Sequence, residues 1–248
     1  MHFDLESLIL AGLLLFAALL YSSVGHGGAS GYLAAMALVN VSPEIMKPTA
    51  LTLNIIVALI ATYKFYRVGS FSWKIFLPLA VSAIPLAYIG GTLSLPANIY
   101  KPVVGIVLIY AAWRSFNTAS NASNYNVQEP SIVFLLFGGA SLGFLSGLTG
   151  VGGGIFLSPL LLFLRWAPIK VISGVASAFI LVNSIAGLLG VMSVSTTFHS
   201  ALPLWGVMVL VGGYLGAEYG SKRLGNPTIQ RLLALVLVVA GAKMIATA

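Results

Sequence analysis

Charged residues are scarce in this chain. Of its 248 residues, 7% are charged and 59% are hydrophobic, with 12 Lys and Arg against 5 Asp and Glu. An average soluble domain is about 25% charged, and a water-soluble protein so poor in charge could not cover its surface with polar groups. The composition therefore excludes a soluble protein and predicts an integral membrane protein whose first partner is the lipid bilayer.

Cysteine is absent as well. The chain therefore has no disulfide framework and no thiolate metal site, and we expect no metal and no cofactor. The net charge of +7 would indicate nucleic-acid binding in a soluble protein. Here the Lys and Arg residues stand at the ends of apolar runs, where the positive-inside rule explains them, so we expect no nucleic-acid partner. The first residues lack the basic region of a secretory signal, so the first apolar run should remain in the mature protein.

Apolar runs near the ~20 residues that cross a bilayer recur along the whole chain. Two shorter apolar stretches, 29–39 and 154–164, each follow a group of glycines. We predict an all-α polytopic membrane protein in which each short stretch and the run before it form a glycine-bent helix–turn–helix unit. The long runs are 5–24, 48–66, 74–95, 101–116, 131–148, 171–192, 201–220 and 228–247.

The distribution of Lys and Arg predicts the orientation. If each bent unit returns to the side from which it came and the N-terminus is outside, Lys47, Lys101 and Lys243 face out and the other cations are cytoplasmic. The alternative, one net crossing per unit with the N-terminus inside, places fewer cations in the cytoplasm. The positive-inside rule favours the first arrangement. It predicts a multi-pass protein of the inner (plasma) membrane with both termini outside. Its cytoplasmic cations are Lys64, Arg67, Lys74, Arg114, Arg165, Lys170, Lys222, Arg223 and Arg231.

The two halves of the chain resemble each other at a shift of 125 to 126 residues, which places 25–28 on 150–153. We predict a first repeat over 1–114, a polar linker over 115–130 and a second repeat over 131–248. Each repeat has one bent unit and three further transmembrane helices. In the preferred orientation the first repeat begins outside and the second inside, which is the inverted repeat of many secondary transporters. Two parallel copies in a static bundle are the alternative that the charge distribution disfavours.

The glycine groups at the bends, 25–28 (the first glycine cluster) and 150–154 (the second glycine cluster), predict the functional site. Such runs hold a helix poorly, because each Gly costs ~1 kcal/mol relative to Ala. Unwound backbone at membrane depth must be buried in protein or line a wet cavity. In an inverted pair the clusters approach the membrane midplane from opposite sides. The free N–H groups at the start of the second helix of each bent unit point towards its bend. Helix N-termini bind anions, so we predict a small-anion site that needs no buried Lys or Arg. Bends that serve helix packing are the alternative.

Polar side chains near the clusters are predicted to complete this site. His26 is replaced by Val151 in the second cluster. It is either a neutral, hydrogen-bonded residue or a proton carrier, since an unperturbed His has a pKa of about 6.5. Each hydroxyl has an alternative role, which is to bond a helix carbonyl. The predicted substrate-binding residues are Ser22, Ser23, Gly25, His26, Gly27, Gly28, Ser30, Thr52, Asn54, Thr149, Gly150, Gly152, Gly153, Gly154, Ser177 and Asn183.

Other polar and aromatic residues look structural. We expect Lys47 to extend to the lipid headgroups and Glu218 to pair with Lys222 one helical turn away. The four tryptophans fall near the ends of apolar runs and are expected to anchor the helices at the membrane interface. They are Trp73, Trp113, Trp166 and Trp205.

The first glycine cluster, the run Leu148-Thr149-Gly150-Val151-Gly152-Gly153-Gly154 with Pro159, and the half-length duplication resemble the TauE/SafE sulfite exporter family. The stretch 49–65 is similar to that family's third span. The resemblance implies transport of small organosulfonates and of sulfur oxyanions such as sulfite, coupled to protons or ion gradients. It also implies that the glycine motifs and the adjoining Ser, Thr and Asn residues line the substrate path. We therefore predict a secondary active transporter of a small anion that works by alternating access, and not an enzyme.

Two other functions compete with transport. The glycine tips could form the filter of an anion channel. Alternatively, Gly28-Ala29-Ser30-Gly31 fits the Gly-x-Ser-Gly form seen around the serines of rhomboid proteases. A nucleophilic Ser30 would need a general base within hydrogen-bond reach, for which His26 and His199 are the candidates.

Overall fold

A computed structural model describes residues 4–23, 25–118, 127–194, 197–222 and 227–247. Within these ranges the chain forms ten helices and no strand, so the predicted all-α fold is confirmed. Five helices, α1, α3, α4, α6 and α8, are long and apolar enough over their described residues to cross a membrane. The helices are α1 Leu5–Ser22, α2 Ala29–Leu38, α3 Pro43–Arg67, α4 Trp73–Thr92, α5 Ala97–Thr118, α6 Ile132–Thr149, α7 Gly154–Phe163, α8 Ile169–Val194, α9 Leu202–Lys222 and α10 Pro227–Ala246.

The helices that follow the glycine clusters, α2 and α7, have 10 residues each. At 1.5 Å per residue such a helix covers about 15 Å, half of a bilayer core of about 30 Å. Both turn back along the preceding helix: Gly31 of α2 packs on Ala17 of α1, and Leu160 of α7 lies at Gly138 of α6. The bent units are therefore hairpins with one long and one half-length arm.

Two pairs of long helices, α4 with α6 and α1 with α9, pack through glycines spaced four residues apart. A Cβ on any of these glycines would overlap a backbone carbonyl of the facing helix. Inside a bilayer helices associate by close packing rather than by the hydrophobic effect, so small residues stabilise such pairs. Gly139, Gly143 and Gly147 lie on the carbonyls of Leu79, Ala83 and Ala87, and Gly212, Gly216 and Gly220 on those of Leu15, Leu19 and Ser23.

The buried side chains form two main cores. One core joins α4, α6, α7 and α8, and the other joins α1, α2, α3, α5, α9 and α10. The start of α7 belongs to the second core as well, through Ile155. Helices α3 and α8 pack against each other across the boundary. They run antiparallel, because Gly174 at the start of α8 meets Phe65 near the end of α3, whereas Gly187 meets Leu51. Helices α5 and α10 are also antiparallel, with Lys101 bonded to the carbonyl of Thr247.

The structure corrects one expectation about the ends of the helices and does not test another, the pairing of Glu218 with Lys222. Trp205 is 1% exposed and its indole N–H donates to the carbonyl of Ser7 at 3.2 Å, and Trp166 is 7% exposed. Interfacial anchoring is therefore wrong for these two tryptophans. Glu218 forms an ion pair with Lys64 of α3, and the side chain of Lys222 lies outside the described residues.

Helix α5 continues to Thr118 and so includes the first residues of the predicted linker, 115–130. Residues 119–126 lie outside the described residues. Beyond them, Gln128 donates its backbone N–H to the carbonyl of Arg165 at 2.9 Å, and Glu129 accepts a bond from Lys74 at 3.1 Å. The last residues of the linker therefore lie against the start of α4 and the C-terminal end of α7.

We expect Gly143→Leu to destabilise the protein, because its side chain would meet the backbone of Ala83. Overpacking of this kind costs about 1–3 kcal/mol. Gly138→Leu in the same helix is the matched control, since a Cβ there meets only the end of Leu160 at 3.5 Å. Thermal unfolding of the purified protein in detergent would measure the difference. Equal melting temperatures for the two variants would contradict glycine-mediated packing of α4 on α6.

Candidate functional site

The side chain of Asn54 connects the two glycine clusters. It lies near the middle of α3 and is completely buried. Its Oδ1 accepts a hydrogen bond from the N–H of Ala29, the first residue of α2, at 3.0 Å. Its Nδ2 donates to the carbonyl of Val151 and to Oγ of Ser184, each at 3.4 Å. One carboxamide thus bonds the backbone at both bends.

Gly27 of the first cluster and Gly152 of the second cluster both lie against the same two side chains, Asn54 and Ile180. A Cβ on either residue would overlap the Asn54 amide, and each residue also packs against Ile180 of α8. Gly154 lies on the same isoleucine. The two clusters, which are 125 residues apart in the sequence, therefore meet between Asn54 and Ile180, and we call this meeting point the glycine junction.

The backbone of both clusters requires glycine. Gly28 has φ 106°, and Gly150, Gly152 and Gly153 have φ between 78° and 83°. This left-handed region is open to Gly but strained for other residues. Among the hydrogen bonds of the described residues, none is donated by the N–H groups of Gly27, Gly28, Gly152 or Gly153. These four buried amides therefore have no acceptor among the described residues.

Two buried tyrosines hold the carbonyl side of the clusters. The hydroxyl of Tyr32 in α2 donates to the carbonyl of Gly27 at 2.8 Å, and that of Tyr100 in α5 donates to the carbonyl of Thr149 at 3.0 Å. Both tyrosines are at most 3% exposed. Sequence analysis did not identify them, because a tyrosine within an apolar run carries no signal of its partner.

Most of the predicted hydroxyl ligands bond their own helices. In this conformation their hydrogens are used by carbonyls three or four residues earlier, so they are not free donors. The bonds are Ser22 to Leu19 at 3.4 Å, Ser23 to Leu20 at 2.7 Å, Thr52 to Pro48 at 2.8 Å, Thr149 to Leu145 at 2.7 Å and Ser177 to Gly174 at 2.9 Å.

Asn183 and Ser146 behave differently. Both are completely buried, and neither the amide of Asn183 nor the hydroxyl of Ser146 has a hydrogen-bond partner among the described residues. Ser146 is beside the second cluster, where its Cβ would lie 3.4 Å from a Cβ on Gly153. Asn183 directly precedes Ser184, which bonds Asn54. A buried unpaired polar group costs about 1–3 kcal/mol, so each needs an explanation such as a ligand.

The remaining predicted residues lie at the first cluster. Gly25 packs on Ser173 near the start of α8, and Ser30 is 3% exposed in the first turn of α2. His26 is half-buried, and its backbone N–H donates to the carbonyl of Tyr21 at 2.9 Å.

Lys47 corrects two predictions. It is 8% exposed, and its ammonium donates to the carbonyls of Gly90, Gly91 and Leu93 at 3.2, 3.0 and 3.1 Å. It therefore does not extend to the headgroups, and the second cluster does have a buried cation beside it. The error arose because the apolar run starts at Pro48, whereas α3 begins at Pro43 and includes Lys47.

Half-length helices whose starts meet inside a helical membrane protein define the architecture of many secondary transporters. The chain belongs to the sulfite exporter TauE/SafE family, whose model matches residues 9–244. It is therefore a multi-pass membrane transporter of that family.

Two curated relatives match almost end to end. A probable membrane transporter protein y4hK of Sinorhizobium fredii is 38% identical over 245 residues, covering 98% of this chain and 99% of the relative. The probable membrane transporter protein YjnA of Bacillus subtilis is 27% identical over 256 residues, covering 96% and 99%. No solved structure matches the chain.

We expect Asn54→Ala to lower the melting temperature, because it leaves the N–H of Ala29 and the carbonyl of Val151 without their partner. At about 1–3 kcal/mol and about 2–4 °C per kcal/mol, the melting temperature should fall by roughly 2–12 °C. The control is Thr52→Ala in the same helix, whose hydroxyl bonds only its own helix. If the two variants have the same melting temperature, Asn54 does not stabilise the junction.

Proposed function

We propose that this protein is a secondary active transporter of a small anion, of the sulfur oxyanion or organosulfonate class, that works by alternating access. The observation that carries the proposal is the meeting of both glycine clusters at Asn54, with unbonded amides on each side. Helix N-termini carry roughly half a positive charge and bind anions through such amides. The family to which the chain belongs is described as sulfite exporters, which supports a sulfur oxyanion as the substrate.

The packing of the helices supports an inverted repeat, which stays a prediction. The equivalent helices α3 and α8 run antiparallel, as do α5 and α10. The contact of α4 with α6 is matched by the contact of the equivalent helices α9 and α1. A two-fold axis in the membrane plane relates helices in this way. Rocking of the two cores about the glycine junction would then expose it to one side at a time.

Two further points stay predictions: that the membrane is the inner (plasma) membrane, and that both termini lie outside. With the N-terminus outside, the junction would open towards Lys47 on the outer side and towards His26 on the cytoplasmic side. In the described conformation Ile180 fills space between the clusters. We infer that its side chain must move when an anion binds, because its branched end touches Gly27, Gly152 and Gly154.

Uptake of radiolabelled sulfite into proteoliposomes tests the proposal. We expect saturable uptake, counterflow, and competition by sulfonates but not by cations. Currents far above about 10³ ions per second, the upper range of typical turnover, would instead indicate the channel. Labelling of Ser30 by a fluorophosphonate would indicate the hydrolase. The absence of sulfite and sulfonate flux from protein that is folded by its melting curve would overturn the proposed substrate class.

Substitution of the glycines would not separate transport from folding. A Cβ on Gly28 would lie 2.6 Å from the ring of Tyr32, and one on Gly153 would lie 2.9 Å from Phe179. Asn183 offers a better test, because its amide is buried without a partner. We expect Asn183→Leu to keep or raise the melting temperature, since it removes an unpaired polar group. Transport should fall at least ~10-fold if one ligand bond worth about 1.4 kcal/mol is lost.

The control for Asn183→Leu is Ser193→Ala, which removes a hydroxyl of α8 that bonds only its own helix. This variant should transport like the wild type. A stable Asn183→Leu protein with normal uptake would remove Asn183 from the site. A destabilised one would show instead that the amide supports the fold.

We further propose that His26 couples transport to protons. Its side chain is half-buried at the first cluster, and a His titrates near pH 6.5 when unperturbed. We expect uptake of methanesulfonate, whose charge is constant in this range, to change in the wild type between about pH 5 and 8, and His26→Gln to flatten this profile. Substitution of His199, which stacks on Trp205 away from the clusters, is the control. An unchanged profile in His26→Gln would remove the residue from this role.

A further inference from the structure

Among the side chains whose burial the structure describes, Lys47 is the one charged group that is buried. It lies on α3, in one of the two hydrophobic cores, and bonds three carbonyls at the end of α4, in the other core. The C-terminal end of a helix carries partial negative charge, which favours an ammonium there. Lys47 thus joins the two cores through one charge.

Lys47 also forms part of the wall of the second glycine cluster. A Cβ on Gly150 would lie 3.3 Å from both Cα and Cγ of Lys47, so the lysine stem passes directly over this glycine. Gly152, two residues further on, lies against Asn54. Lys47 and Asn54 are seven residues apart in α3, which places them on one face of the helix. The stem of Lys47 therefore leaves α3 on the same face as Asn54, and its ammonium ends at the carbonyls of α4.

We propose that Lys47 neutralises the transported anion: its ammonium exchanges the α4 carbonyls for the anion held at the second glycine cluster. This inference rests on the proposed function and adds the residue that supplies the counter-charge. A full negative charge competes with the partial charges of carbonyl oxygens. Lysine suits such an exchange, because its flexible stem carries three rotatable donors. When the ammonium leaves α4, a contact between the two cores is lost, so anion binding and rearrangement of the cores are linked.

The counter-charge serves only one of the clusters. At a shift of 126 residues Lys47 corresponds to Ser173, which packs on Gly25 of the first cluster. The position that carries a cation beside the second cluster thus carries a neutral hydroxyl beside the first. A purely structural lysine at the end of α4 would need no relation to the glycines, and Lys243, which caps α2 through the carbonyl of Leu38 at 2.9 Å, has that structural role alone.

The first test compares Lys47→Arg, Lys47→Gln and Lys47→Met with Lys243→Gln in proteoliposomes. Uptake of sulfite, at a pH where it is a dianion, and of methanesulfonate, a monoanion, gives a KM for each. We expect the Gln and Met variants to raise the sulfite KM at least ~10-fold and the methanesulfonate KM less, because a lost cation weakens a dianion more. Lys47→Arg and Lys243→Gln should keep the ratio of the wild type.

The second test uses the absence of cysteine from the chain. In Lys47→Cys the new thiol is the single cysteine for alkylation by bromoethylamine or bromoethanol, which form thioethers that sulfite does not cleave, and mass spectrometry measures the modification. The ethylammonium reagent, bromoethylamine, restores a positive charge near the original position, and the hydroxyethyl reagent, bromoethanol, adds similar bulk without charge. We expect recovery of sulfite uptake with the first reagent only.

The outcomes separate this inference from the proposed function. If the wild type transports neither sulfite nor sulfonate, the proposed function fails. If the wild type transports sulfite and Lys47→Gln keeps the KM ratio, only the role of Lys47 fails. Equal recovery with charged and neutral reagents would also overturn it. Melting curves in detergent show whether Lys47→Gln and Lys47→Met fold. If they do not, the ratio of the sulfite KM to the methanesulfonate KM in Lys47→Arg and in the modified Lys47→Cys protein decides.

Discussion

Backbone that leaves its helix inside a bilayer is stable only where its polar groups find partners, and here that constraint falls on Asn54. Water is absent from the hydrocarbon core, so each N–H and C=O released at a bend must bond protein or line a cavity. Asn54 meets part of this need at both bends, since its carboxamide has an acceptor for Ala29 and a donor for Val151. Tyr32 and Tyr100 add a donor to each cluster. The close approach of the clusters depends on these few side chains.

The duplication does not make the junction symmetric. At a shift of 126 residues Asn54 corresponds to Ile180, and both touch Gly27 and Gly152. One wall of the junction is therefore polar and the other apolar. The ionisable groups differ as well, because His26 belongs to the first cluster itself whereas Lys47 reaches the second cluster from α3. A solute between the clusters would meet different chemistry on its two sides, although both sides present the same glycine backbone.

The elements could be predicted from the sequence, but most of their contacts could not. Hydropathy located the ten helices of the described residues, and the glycine clusters located the bends, because both are local properties of the chain. Lys47 was misplaced because Pro48 was taken as the start of a helix that begins at Pro43. Trp166 and Trp205 were predicted at the interface from their position alone, whereas their burial depends on packing between distant segments. The contact of Ile180 with both clusters has the same origin and no signal in a single sequence.

The junction contains groups that the stability of the fold does not explain. The hydroxyls of Ser177 and Thr149 donate hydrogen bonds to carbonyls three or four residues earlier in their helices. The amide of Asn183 in α8 and the hydroxyl of Ser146 in α6 have no hydrogen-bond partner among the described residues. Each costs about 1–3 kcal/mol relative to an apolar residue of the same shape. The unbonded amides of Gly152 and Gly153 lie near Ser146, which packs on Gly153. An anion at the second cluster would satisfy these buried donors, so the local loss of stability and the proposed function have one physical cause.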